Sequence, residues 1–138
     1  MRLMLDTCVV IDLLTDIENL GKGVISLIDE ADNTLFASFE TMRELVVHFN
    51  NKKLLSRRWK TSEDLLKFVE DDLDIEFLPI RRDVGYTYSR LQLNEEQEHH
   101  DPSDHIIISH AITERIPLLS SDTRFWYYRN QGLNLIEY

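Results

Sequence analysis

Apolar residues along the chain alternate between short unbroken runs and stripes that recur every three or four positions. The run Arg2-Leu3-Met4-Leu5 ends on Asp6 and predicts a buried first strand. Residues 9–14 and 21–31 predict a pair of helices, the second with Val24, Leu27, Ile28 and Ala31 on one face. Asp32-Asn33 marks a turn, and residues 34–37 a second strand. Met42, Leu45, Val46 and Phe49 form the next helical stripe, which ends near Asn50-Asn51. After a basic stretch at residues 52–60, Thr61 or Ser62 opens a helix whose apolar face is Leu65, Leu66 and Val69. Residues 75–80 predict a third strand, 83–93 a helix, and the polar stretch 94–100 an exposed loop.

Asp101-Pro102-Ser103-Asp104 is a strong helix start, with a capping Asp, Pro at the first helical position and a further Asp in the first turn. The helix it opens carries Ile106, Ile107, Ile108, Ala111 and Ile112, which implies burial on more than one side. Residues 117–121 and 133–138 predict the last two strands. Strands that alternate with helices imply a mostly parallel α/β sheet of about five strands, covered by helices on both faces. At 138 residues one such domain, spanning 1–138, accounts for the chain.

In a sheet of this kind the functional crevice lies beyond the carboxyl ends of the strands. That rule selects Asp6 after the first strand and Asp122 after the fourth. Asp104, in the first turn of its helix, and Glu44, off the apolar stripe of its own, can reach the same edge, although pattern alone does not separate Glu44 from Glu40. Charge sharpens this picture. Against 15 Lys and Arg stand 25 Asp and Glu, a net charge of −10 that disfavours a passive nucleic-acid binder. Carboxylates gathered around bound cations would produce the same imbalance. Such a set offers the hard oxygen ligands that suit Mg²⁺ or Mn²⁺ and metal-assisted phosphodiester hydrolysis.

No apolar run approaches the ~20 residues needed to span a bilayer, and the first six residues lack the apolar stretch of a signal peptide. A lone cysteine, Cys8, forms no internal disulfide; the expectation is a reduced, cytoplasmic protein.

Four segments, taken in order, resemble the PIN domain: Leu5-Asp6-Thr7 after the first strand, Glu44 within Met-Arg-Glu-Leu, His100-Asp101-Pro102-Ser103-Asp104-His105 before the Ile-rich helix, and Leu119-Ser120-Ser121-Asp122. They are most similar to the branch related to the VapC toxins of bacterial toxin–antitoxin pairs. The resemblance implies a three-layer α/β/α fold and a Mg²⁺- or Mn²⁺-dependent endoribonuclease. It places the catalytic and metal-binding acids at Asp6, Glu44, Asp104 and Asp122, with supporting hydroxyls at Thr7 and Ser121. It also implies a small antitoxin partner and a homodimer. His105 stands where relatives often carry Arg, and Cys8 where they often carry a polar residue.

Asp101 is expected foremost as a cap, with support of the metal site as its second role. Lys52, Lys53, Arg57, Arg58 and Trp59 combine cations with an aromatic ring and suit RNA or a partner protein; His105 and Arg124 are further candidate contacts. His99 and His100, with His105, are expected as loop or helix-surface histidines rather than zinc ligands. His99-His100-Asp101 also suggests an HD-type phosphohydrolase, which requires a mostly helical fold. A PIN nuclease working in RNA processing without an antitoxin, and a non-catalytic PIN-like binding module, are the remaining alternatives.

Overall fold

The computed structural model describes residues 1–138. Its strands are β1 (Arg2–Leu5), β2 (Thr34–Ser38), β3 (Ile75–Leu78), β4 (Leu118–Ser120) and β5 (Leu135–Glu137). They form one sheet in the order β3-β2-β1-β4-β5, with every pairing parallel. All five carboxyl ends therefore lie at one edge.

Alternation along the strands builds two cores. Leu3 and Leu5 of β1, Leu35 and Ala37 of β2, and Leu119 of β4 point to one face. There they meet α1 (Thr7–Thr15), α2 (Lys22–Asp29), α3 (Phe39–Asn50) and α4 (Ser62–Asp71) through residues such as Val10, Val24, Leu45 and Leu65. Met4, Phe36 and Leu118 point to the other face, against Ile107, Ile108 and Ala111 of α6 (Pro102–Glu114). Phe125 and Tyr128 of a 3-10 segment (Thr123–Gln131) complete that core, and α5 (Arg82–Arg90) packs on α6. The result is the three-layer α/β/α arrangement expected from the pattern, and its parallel sheet removes the helical HD-type alternative. No helix is long and apolar enough to cross a membrane.

Local signals set the element boundaries. Thr61 closes a reciprocal capping box with Asp64, and Asp101 caps α6 by accepting from Ser103 N at 3.0 Å. Two expectations fail. Residues 94–100 are not simply an exposed loop, because Asn94 and His99 are 2% and 0% exposed. Asn94 N donates to Tyr128 Oη at 3.1 Å and Asn94 Nδ2 to Arg124 O at 3.2 Å, which pulls the segment inward. Trp59 is equally hidden: its Nε1–H donates to Leu54 O, and its ring lies 5.1 Å from that of Phe68. A ring of that size is worth more in the core than in water.

Candidate metal centre

Helix starts carry the acids to the carboxyl edge. Asp6 leaves β1 and caps α1, its Oδ1 accepting from Thr7 N at 2.8 Å. Its other oxygen accepts from Ser120 Oγ at 2.7 Å, which ties the end of β1 to the end of β4. Ser38, the last residue of β2, caps α3 and sends that helix off from the same edge, carrying Glu44. Thr7 Oγ1 donates to Glu44 Oε1 at 2.6 Å, so the first two acids are held through one residue.

Asp104 stands in the first turn of α6, with Oδ2 2.9 Å from His99 Nε2. Asp122 caps the 3-10 segment and forms a forked pair with Arg124, at 3.0 Å from Nε and 2.7 Å from Nη2. Arg124 Nη2 also lies 3.7 Å from Asp104 Oδ2. One cleft of ≈ 250 Å³ is lined by Asp6, Glu44, Asp104 and Asp122, together with Thr7, Cys8, Asp101 and Arg124. Glu40 and Glu44, alike in sequence, part company here. Glu40 is buried against Arg43 and Ser103 Oγ, whereas Glu44 faces the cleft.

The electrostatics show an excess of negative charge. Burial, reinforced by Asp6, Asp101, Asp122 and Glu44, pushes Asp104 up to about 8. Burial likewise pushes Asp6 up to about 6, against the pull of its hydrogen bonds from Ser120 and Thr7. Asp122 moves the other way: burial would raise it, but the hydrogen bonds and charge of Arg124 outweigh burial and hold it low. One arginine thus neutralises one acid of the set. Burial pushes the Cys8 thiol up to about 12, so although Sγ lies 3.4 Å from Asp6 Oδ2 it stays protonated at neutral pH. The donor set that remains is carboxylate oxygen, which fits a Mg²⁺- or Mn²⁺-sized cation and leaves a charge for it to compensate. An imidazole nitrogen stands close by: ligand atoms of His99, Asp104 and Asp122 all lie within 4.8 Å of one another.

The chain matches the PIN domain over residues 3–130. It belongs to the PIN domain family. Solved structures of the same fold include VapBC2 from Rickettsia felis bound to a promoter DNA fragment, with TM-score 0.75 and 19% identity over 99% of this chain and 98% of that one. VapBC-1 from nontypeable Haemophilus influenzae gives 0.72 and 18% over the same shares of the two chains. VapBC-5 from Mycobacterium tuberculosis, of a toxin–antitoxin family, gives 0.63 and 21%, again over 99% and 98%. No curated protein matches this sequence.

Within this PIN domain the expected residues divide. Asp6, Thr7, Glu44, Asp101, Asp104, Asp122 and Arg124 meet in the cleft. Ser121, expected as a supporting hydroxyl, makes no hydrogen bond to any of the four acids. It is exposed, and Ser120, still inside β4, reaches Asp6 and also accepts from Asp122 N at 3.1 Å. His105 is 3% exposed and hydrogen-bonds His99 O through Nε2 at 2.9 Å, so it is unavailable to RNA. Trp59 is excluded by the same burial, while Lys52, Lys53 and Arg57 remain exposed. Arg58 is partly committed, donating to Leu14 O at 2.9 Å and covering the Trp59 ring. His99 is not the surface histidine expected from its polar neighbours. The five-residue spacing from Asp104 carries its signal, but only the inward fold of the preceding loop gives that spacing meaning.

Proposed function

We propose that residues 1–138 form one PIN domain that acts as a Mg²⁺- or Mn²⁺-dependent endoribonuclease, the toxin of a type II toxin–antitoxin pair. The observation that carries this reading is the convergence of Asp6, Glu44, Asp104 and Asp122, from four separate elements, on one cleft. Gathering four acids in one partly buried cleft costs stability unless a ligand offsets it, and a divalent cation is the matching charge. When bound, such an ion activates water for attack on a phosphodiester and offsets charge on the leaving oxygen.

The protein's own groups prepare that event. Ser120 and the Thr7 amide fix both oxygens of Asp6. The Thr7 hydroxyl fixes Glu44, and His99 fixes Asp104. Arg124, gripping Asp122 beside Asp104, stands where a phosphate would need a cation. Exposed Lys52, Lys53 and Arg57, in the connection that follows α3, offer the backbone of a single strand a route past an otherwise acidic protein. Likeness to chains of VapBC structures supports an antitoxin partner; a homodimer in the cytoplasm completes the proposal. Exposed Leu55, amid those cations, suits a partner surface.

The test is cleavage of a structured RNA with Mn²⁺, with chelator, and with Asp6→Asn or Asp104→Asn. The reading expects cleavage only by the wild type with metal, from variants that remain folded by circular dichroism. Cleavage that persists in chelator or in the double variant would overturn it. Calorimetry that detects no Mn²⁺ binding at millimolar concentration would favour a non-catalytic module.

A further inference from the structure

His99 brings an imidazole nitrogen up to Asp104 and Asp122, and it is completely buried. Either it is a ligand through Nε2 or it holds Asp104 by donating a proton from Nε2. The two roles need opposite tautomers, and the hydrogen bonds around Tyr128 choose between them.

Tyr128 is itself fully buried, so its hydroxyl hydrogen requires an acceptor inside the protein. Two groups reach Oη: Asn94 N at 3.1 Å and His99 Nδ1 at 3.1 Å. The Asn94 amide is a donor and takes an Oη lone pair. The tyrosine hydrogen is left with a single destination, His99 Nδ1, which must therefore carry a lone pair. The ring then bears its proton on Nε2, directed at Asp104 Oδ2 2.9 Å away.

The loop is constructed around this arrangement. His99 N donates to Asn94 O at 3.0 Å, and His99 O accepts from His105 Nε2 at 2.9 Å. Phe125 stacks on the ring at 5.5 Å between centroids. Backbone and ring are thus both locked, and Asn94, His99, Asp104 and Tyr128 form one directed chain of hydrogen bonds.

We infer that His99 is a positioning residue, held by Tyr128 in the Nε2–H tautomer so that it donates to Asp104 and orients that carboxylate for a divalent cation, without itself being a ligand. The inference rests on the metal-dependent reading above for the cation and its binding readout, and on the geometry alone for the tautomer and the hydrogen bond to Asp104. A carboxylate with one oxygen committed to a fixed donor presents the other in a defined direction, and loss of such outer partners commonly weakens metal binding ~10–100-fold.

Long-range proton–nitrogen NMR of the wild-type protein tests the tautomer without any variant. Nε2–H is expected, and Nδ1–H would overturn the inference. Mn²⁺ titration then compares wild type with His99→Ala, His99→Gln and Tyr128→Phe. The alanine protein should bind ~10–100-fold more weakly, glutamine should restore most of the affinity through its amide donor, and phenylalanine should fall between. Pulsed electron paramagnetic resonance of the Mn²⁺ protein should show no directly bound imidazole nitrogen. Affinity unchanged in His99→Ala, or a bound nitrogen in the spectrum, would overturn this role and leave the nuclease reading standing. Wild-type protein that binds no Mn²⁺ would instead overturn the nuclease reading, and the tautomer would still decide the role of His99 toward Asp104.

Discussion

The Thr7 hydroxyl donates to the Glu44 carboxylate at 2.6 Å across 37 residues of chain, and lies 2.9 Å from the Thr41 hydroxyl one turn earlier on α3. Through this hydrogen bond the first turn of α1 fixes a site acid that lies well inside a helix, away from any strand end. Thr7→Val should therefore leave Glu44 free to swing and Thr41 short of a partner. The expected cost is about 1–2 kcal/mol in urea denaturation, with weaker Mn²⁺ binding by calorimetry, whereas Thr7→Ser should retain both. Equal affinity in Thr7→Val and wild type would show that Glu44 needs no such support.

The raised Asp104 makes stability depend on pH in a definite direction. Its folded value of about 8 lies far above the value near ~3.9 expected when unfolded. The folded state therefore holds a proton that the unfolded state has lost, and stability falls as pH rises toward that folded value. Buried His99, held down to about 4 by burial and then by Arg124 and His105, opposes this only at lower pH, where unfolded histidine takes up a proton. In chelator, the melting temperature of the wild type should fall between about pH 7 and about pH 8.5, by the equivalent of on the order of 1 kcal/mol. Asp104→Asn should lose most of that slope, and saturating Mn²⁺ should abolish it in the wild type by replacing the proton.

Arg124 is the internal counter-ion of the cleft, bound to Asp122 and next to Asp104. Arg124→Gln should tighten Mn²⁺ binding several-fold in calorimetry, because a competing cation is gone, yet reduce RNA cleavage if the guanidinium meets phosphate. Metal binding that weakens in this variant would assign Arg124 a purely organising part.

The basic connection after α3 divides into core and surface. Trp59→Ala should cost about 3–5 kcal/mol in denaturant unfolding, as expected for emptying a buried aromatic site. Charge reversal at exposed Lys52, Lys53 and Arg57 should leave the melting temperature nearly unchanged. It should weaken RNA binding and flatten its salt dependence, by about one unit of slope for each phosphate these cations neutralise. Filter binding across a salt series would show it.

Period and punctuation in the sequence by themselves determined the layers of this protein. Four-residue apolar runs that alternate with helical stripes admit little besides a parallel sheet with two covered faces, and the strand-end rule then picked out Asp6 and Asp122. Caps were equally local: Asp101 and Thr61 act within three residues of themselves, so their roles were legible without a fold. Tertiary structure decided whatever depends on partners distant in sequence. Glu40 and Glu44 are indistinguishable by pattern and separate only when Ser103, 63 residues from Glu40, closes over one of them. Ser120 rather than Ser121 supports Asp6 because the strand carries the first serine to within 2.7 Å of an acid 114 residues away. Trp59, His99 and His105 looked exposed beside polar and charged neighbours, and burial against Phe68, Phe125 and Tyr128 reversed that. Local propensity reports on a residue's own backbone, whereas the surroundings of a side chain are set by chain segments that meet only once the sheet has formed. The four acids were visible one by one; their shared cleft, and the hydroxyls and imidazole that hold them in it, belong to the fold.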